Sequence, residues 1–178
     1  RTRLYYTAKF SDDFKFVNKF EHDVNWGDDD GGDIGADGKI FEIKNAYADF
    51  NLGSVNNVWG MQGYAISRGF MFDSDFSGIR ITPKFGDTMV PITWGRINGE
   101  YVSAAGYDED FVSAEAKIGL GDTGKVTPFV VWHGANGAAS DLSAFYVGVD
   151  ADLKFGGAST WGTFIYQGGT NMMDEDNA

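Results

Sequence analysis

The stretch Ser113–Trp132, SAEAKIGLGDTGKVTPFVVW, holds two runs of alternating residues on either side of a glycine-containing turn. Ala114, Ala116, Ile118 and Leu120 share one phase, and Val126, Pro128, Val130 and Trp132 continue it beyond the turn. Ser113, Glu115 and Lys117, then Thr127, Phe129, Val131 and His133, occupy the other phase. Side chains of a strand alternate between its two faces, so each run is a strand with one apolar face. A soluble protein would turn that face toward its own core, a membrane protein toward lipid. The fold turns on which of the two the apolar face meets.

The same period recurs along the chain. Thr2, Leu4, Tyr6, Ala8 and Phe10 alternate with Arg1, Arg3, Tyr5, Thr7 and Lys9. Phe14, Phe16, Phe20, Val24 and Trp26 alternate with Lys15, Lys19, Glu21, Asp23 and Asn25. Ile79, Ile81, Pro83 and Phe85 stand against Arg80, Thr82 and Lys84, and Phe145 through Phe155 against Tyr146, Asp150, Asp152 and Lys154. The pattern blurs in IFEIKNAYADF, VWGMQGYAISRG and PITWGRINGE, where a bulge or a glycine kink is expected. About ten strands are expected over the whole chain.

The connections alternate in length. Short ones are expected at Ser11–Asp13, Gly53–Asn57, Gly86–Met89, Gly121–Lys125 and Gly156–Thr160. Longer, acidic or glycine-rich ones lie between them: GDDDGGDIGADGK, FMFDSDF, YVSAAGYDED, GANGAASD and the tail GGTNMMDEDNA. A meander places all short turns at one end of the sheet and all long loops at the other, as in an outer-membrane barrel. The expected strands Arg1–Phe10, Phe14–Trp26, Lys39–Leu52 and Leu142–Phe155 also reach the roughly 9–11 residues that a tilted membrane-crossing strand requires. Strands of soluble domains are commonly about 5–6 residues long. Phe10, Phe14, Trp26, Phe50, Phe85, Trp132 and Phe155 sit near strand ends on the apolar phase, where interfacial aromatic girdles form. Lipid is the expected neighbour. The fold class is all-β, an antiparallel up-and-down transmembrane barrel in one domain spanning 1–178, placed in a bacterial outer membrane with lipid and lipopolysaccharide around it.

Composition agrees with this and excludes other classes. Twenty-five glycines and 16% aromatics beside only 3 prolines suit many turns between aromatic-rich strands. There is no cysteine, hence no disulfide or thiolate metal site, and no apolar run approaches the ~18 residues of a spanning helix. A net charge of −12 argues against nucleic-acid binding.

The acidity is concentrated in loops, while the polar strand phase is net basic. Arg1, Arg3, Lys9, Lys15, Lys19, Arg80, Lys84, Lys117 and Lys154 face Glu21, Asp23, Glu115, Asp150 and Asp152. Of the 14 basic residues, only Lys39 and Lys125 are expected in connections. A face charged on every strand cannot be buried dry, so it is expected to line water and to favour anionic solutes. The lumen-lining candidates are Arg1, Arg3, Lys9, Lys15, Lys19, Arg80, Lys84 and Lys117, with Gln62 and Arg68 added if their strand keeps one register. The rival reading of the same charges is a wall of ion pairs that only stiffens the barrel.

The loop Asp28–Gly38, DDDGGDIGADG, offers Asp28, Asp30 and Asp33 as hard oxygen ligands for Ca²⁺, but lacks EF-hand spacing. The plainer reading is a solvated loop. His22 and His133, the two histidines, have no nucleophile pattern beside them, and GLGDTGK does not match a phosphate-binding loop, so no enzyme is expected.

Ala46, Tyr47 and Asp49, then Gly60 and Gln62, Gly69, and Gly78 with Ile79 follow a charged strand, a short turn, a second strand and a loop. In these pieces the chain resembles the alginate-export-type porins of Gram-negative bacteria. The resemblance implies a channel for anionic sugars or other small anions. Assembly into a homo-oligomer is a separate expectation. The start inside a strand and the polar tail set a further expectation: these residues form the N-terminal part of a larger barrel of about 16–18 strands. Two other readings stay open: a secreted or surface all-β module binding carbohydrate or Ca²⁺, and a barrel that sheathes a partner protein.

Overall fold

The structure is a computed structural model describing residues 1–23, 40–98, 107–137 and 143–170. In chain order it contains β1 (Thr2–Lys9), β2 (Phe14–Asp23), β3 (Ile40–Leu52), β4 (Val55–Ile66), a 3-10 turn (Ser67–Gly69), β5 (Phe72–Thr82), β6 (Lys84–Phe85) and β7 (Thr88–Met89). There follow β8 (Ile92–Asn98), β9 (Tyr107–Glu115), β10 (Ile118–Gly119), a 3-10 turn (Gly121–Thr123), β11 (Gly124–Gly137), β12 (Ser143–Phe155) and β13 (Ala158–Thr170).

One antiparallel sheet takes in all of these strands except the two-residue hairpin β6–β7. Its path is β1-β2-β3-β4-β5-β8-β9-β11-β12-β13, with β10 added on β11. Each long strand pairs with the long strands before and after it, a meander, as the alternating turns require. β1 and β13 are its edges, and no ladder between them closes the sheet into a barrel among the described residues.

Register makes the two faces explicit. One row of laterally paired residues runs Ala8, Phe16, Ala48, Trp59, Ile79, Trp94, Val112, Trp132, Phe145 and Gly168, crossing the sheet without a polar side chain. The adjacent row, displaced by one residue, runs Lys9, Lys15, Asp49, Val58, Arg80, Thr93, Ser113, Val131, Tyr146 and Gln167. The first row faces outward: Trp59, Trp94, Val112 and Phe145 are all more than 40% exposed. The second faces the concave side, where Val58, Thr93 and Ser113 are buried. This is the assignment of faces expected from the alternation.

The three segments with blurred alternation hold the irregularities. Register shifts between Lys19 and Phe20 of β2, opposite Asn45 and Ile43, so Lys44 is the extra residue of a bulge. It shifts again between Arg96 and Asn98 of β8. In the third segment Gly60, at φ 126°, is laterally aligned with Gly78 and then Gly95. A Cβ at Gly95 would lie 2.3 Å from the Phe111 ring, so only glycine lets the Phe76 and Phe111 rings lie over the sheet here. Their centroids are 5.1 Å apart, edge to face.

Those rings begin a core. Ile66, Phe76, Phe111, Phe129 and Val131 are buried on the concave side, with Tyr64, Met71, Phe72, Tyr146 and Ile165 packed against them. Burying each large apolar side chain contributes about 1.5–3 kcal/mol. The concave face is therefore not charged on every strand. Charge dominates β1–β3, whereas β4, β5, β9 and β11 fold their inward phase into an apolar cluster.

Several expected boundaries move. Gly53 (φ 60°) and Gly156 (φ 58°) each begin a two-residue turn, because strands resume at Val55 and Ala158. FMFDSDF is mostly strand β5, since Phe72 and Phe76 face the core while the acidic residues Asp73 and Asp75 remain exposed. Tyr107–Asp110 and Gly134–Gly137, expected in loops, extend β9 and β11. Lys84 leaves the sheet: β5 stops at Thr82, Pro83 follows, and Lys84–Phe85 pair with Thr88–Met89 in the separate hairpin. Lys125, expected in a turn, lies in β11 opposite Asp152.

Candidate functional site

Lateral pairing places the basic residues of β1 and β2 among carboxylates of β2 and β3. Arg1 donates to Asp23 at 2.7 and 2.8 Å, and its Nε lies 3.5 Å from Glu21. Arg3 donates to the other oxygen of Glu21, which is 1% exposed. The bulged Lys44 sits 3.5 Å from Glu42, 3.8 Å from Asp75 and 3.9 Å from Glu21. Glu21, Asp23 and Glu42 converge closely enough to hold a cation, but Arg1, Arg3 and Lys44 already neutralise them. Lys15 pairs with Asp49 at 3.0 Å, and Lys9 with Asp12 in the first turn at 2.7 Å. Lys19 lies over the Tyr5 ring instead. This part of the concave wall is the ion-pair ladder that was the rival reading.

Arg68 is not on a strand. β4 ends at Ile66, and Ser67 and Arg68 adopt left-handed backbone conformations at φ 51° and 57°. For residues other than glycine that costs about 1–2 kcal/mol each. The turn they form reaches across the concave side. Ser67 Oγ donates to Asp150 Oδ1 at 3.0 Å, and Arg68 lies 3.0 Å from Asp152 and donates to the Ala151 carbonyl at 3.3 Å. The Arg68 guanidinium also sits 5.1 Å from the Trp161 ring centre. Asp150 accepts a further hydrogen bond from Thr163 Oγ1 at 2.6 Å. A strap from the β4–β5 connection thus ties β4 to β12 and β13.

Gln62 faces the concave side but is buried at 1% exposure, its amide nitrogen donating to the Val58 carbonyl at 2.9 Å. It fixes the kinked ladder instead of lining an open wall.

Arg80 and Lys117 differ from the cations of β1–β2. Arg80 lies 4.6 Å and Lys117 5.5 Å from the centre of the same ring, that of Tyr64. Neither has a carboxylate within ion-pair distance among the described residues. They line one cavity of about 260 Å³ with Asn56, Thr82, Met89 and Pro91. The Tyr64 hydroxyl donates to Glu115, a carboxylate that is 5% exposed. Lys117 is held there by its bridge to Met89, and Arg80 by its row through Thr93 and Ser113.

Of the sequence candidates, the structure brings Arg80 and Lys117 together, gathers Arg1 and Arg3 around Glu21, and separates Lys84 and Arg68 from the strand wall. Tyr64, Glu115, Ser67 and Asp150 had not been singled out as functional. Tyr64 shares the phase of Gln62 two residues earlier, which is the signal that places it inward; the contacts across the concave side have none. His133 points inward and lies 2.6 Å from Glu109. Asp28, Asp30 and Asp33 lie outside the described residues, as does Trp26.

Comparison with known protein families matches no family model to this chain, and comparison with curated proteins finds no match.

Proposed function

We propose that the chain forms the wall of an outer-membrane β-barrel channel that passes small, mainly anionic solutes, the concave side facing water and the convex side facing lipid. The observation that carries this is the apolar row crossing the sheet from Ala8 to Gly168. Trp59, Trp94, Val112, Trp132 and Phe145 in it are exposed and none of its members is buried, and it lies one residue away from a row containing Lys9, Lys15 and Arg80. A soluble sheet leaving Trp59, Trp94, Val130, Val147, Phe164 and Tyr166 in water would lose their transfer free energy, whereas hydrocarbon recovers it. Aromatic contacts along Phe10, Phe14, Phe50 and Trp59 suit the level where hydrocarbon meets headgroups. β3, β4, β11, β12 and β13, at 12–14 residues, exceed the roughly 9–11 that a tilted span needs. Closure requires β1 and β13 to meet each other or further strands.

The apolar cluster and the strap narrow the concave space, so the channel is a constricted one with its aqueous wall along β1–β3 and the Arg80–Lys117 cavity. Planar-bilayer recording in a salt gradient tests this. Ohmic steps with an anion-selective reversal potential are expected, and R80E together with K117E should move that potential toward cations. Folded protein in detergent that yields no channels, or dissolves as a compact monomer without detergent, overturns the reading.

A further inference from the structure

We propose that the cavity between Arg80, Tyr64 and Lys117 is a binding subsite for a small, singly charged carboxylate. This rests in part on the channel reading, since the solute would reach the site along the concave side, but the site is defined by its own geometry.

Among the other described cations of the concave wall, most meet a carboxylate, Lys19 rests alone over a ring, and Lys154 stands exposed near the end of β12. Here two cations share one ring and one cavity with no carboxylate among the described residues in ion-pair range of either. A guanidinium stacked on an aromatic face is held by that contact, leaving its N–H edge free to donate in a fork, which matches the planar geometry of a carboxylate. Lys117 adds a point charge from the other strand region. Thr82 lines the same space, whereas the Asn56 amide nitrogen is already committed to Asp49 at 2.7 Å and to Asn51 at 3.2 Å. At about 260 Å³ the cavity has room for a small organic anion, one liquid water occupying about 30 Å³.

Glu115 sets the charge of the ligand. It accepts from the Tyr64 hydroxyl and is buried beside the site, so two cations and one anion leave a net charge of one to compensate. A monocarboxylate balances that charge, and a phosphate dianion exceeds it. Because the Tyr64 hydroxyl is occupied by Glu115, the ring's role is to position the two cations.

The test is a ¹⁹F NMR titration of the full chain, folded in detergent, with trifluoroacetate as the monocarboxylate and fluorophosphate at pH 8 as the dianion. Saturable trifluoroacetate binding is expected, with fluorophosphate weaker. R80Q and K117Q should each weaken trifluoroacetate binding about tenfold, the worth of a hydrogen bond to a charged group. K154Q, a cation outside the cavity, should leave it unchanged. If R80Q does not fold, R80K, which keeps the charge and loses the fork, should still weaken binding, and K117Q completes the test. Binding unaffected by these substitutions, or fluorophosphate binding as tightly, overturns the proposal. The two readings fail separately. Trifluoroacetate binding without conductance sinks the channel and keeps the subsite, and conductance without saturable binding does the reverse.

Discussion

At Gly95 a missing Cβ determines how the concave side is packed. The site a methyl would occupy is 2.3 Å from one carbon of the Phe111 ring and 2.5 Å from the Phe76 ring. Gly95→Val should therefore displace both rings and lower unfolding stability by at least about 1–3 kcal/mol, the usual cost of overpacking. Gly162→Ala, with open space around its Cβ, should change stability by no more than about 0.5 kcal/mol. Urea midpoints in detergent distinguish the two; equal effects would place the rings elsewhere. Phe111→Ala tests the same cluster from the other side. The ring is 2% exposed and touches both Phe72 and Phe76, so about 3–5 kcal/mol should be lost. Asp49→Asn, which removes the partly exposed pair with Lys15 and keeps a carbonyl oxygen to accept from Asn56, should cost less than about 1 kcal/mol. A larger loss at Asp49 would mean that the ladder of β1–β3 is a main source of stability.

At the scale of elements, the strap after β4 is the part that alternation could not describe. Its two left-handed residues are strained, and what offsets the strain is the set of bonds from Ser67 and Arg68 to Asp150, Asp152 and Ala151. Arg68→Ala should release it: amide exchange of Ser67–Met71 is expected to quicken about tenfold, while β12 and β13, held by their own ladder, keep their protection. Exchange of Ser67–Met71 unchanged in that variant would show that Ser67 alone anchors the turn. The bulges of β3 and β8 and the glycine kink of β4 fall in the segments where the period-two pattern fails, so their presence was legible. Which residue bulges was not, because it depends on the partner strand: Lys44 is extra only relative to β2. Lys84 was misplaced for a related reason. Alternation continues through Pro83, but proline offers no N–H to a ladder, and the chain turns off into β6–β7.

For the whole molecule, alternation gives one sheet an oily convex face and a concave face divided between the ion pairs of β1–β3 and the apolar cluster. If the convex face meets lipid, solubility should require detergent or bilayer. Substituting Val130 and Val147, laterally paired and both about half exposed, with lysine should block membrane assembly at about 2–4 kcal/mol for each charge placed near the bilayer midplane. Assembly into liposomes, read by protease protection, checks this; unimpaired assembly would mean that those positions never meet lipid.

The meander of about ten long strands and its division into an apolar and a polar phase were determined by sequence alone, because period-two alternation and short turns are local properties of the chain, whereas the short β6, β7 and β10 carried no such signal. Whether a given inward charge pairs, stands over a ring or lies free was decided only by tertiary structure. Arg3 meets Glu21 because β1 and β2 align them, whereas Tyr64 receives Arg80 from the neighbouring strand β5 and Lys117 from beyond β9, a segment far away in sequence. The inward apolar cluster belongs to the same class. Phe76, Phe111 and Phe129 sit on the polar phase of their strands, and only curvature around Gly60, Gly78 and Gly95 lets them leave water together.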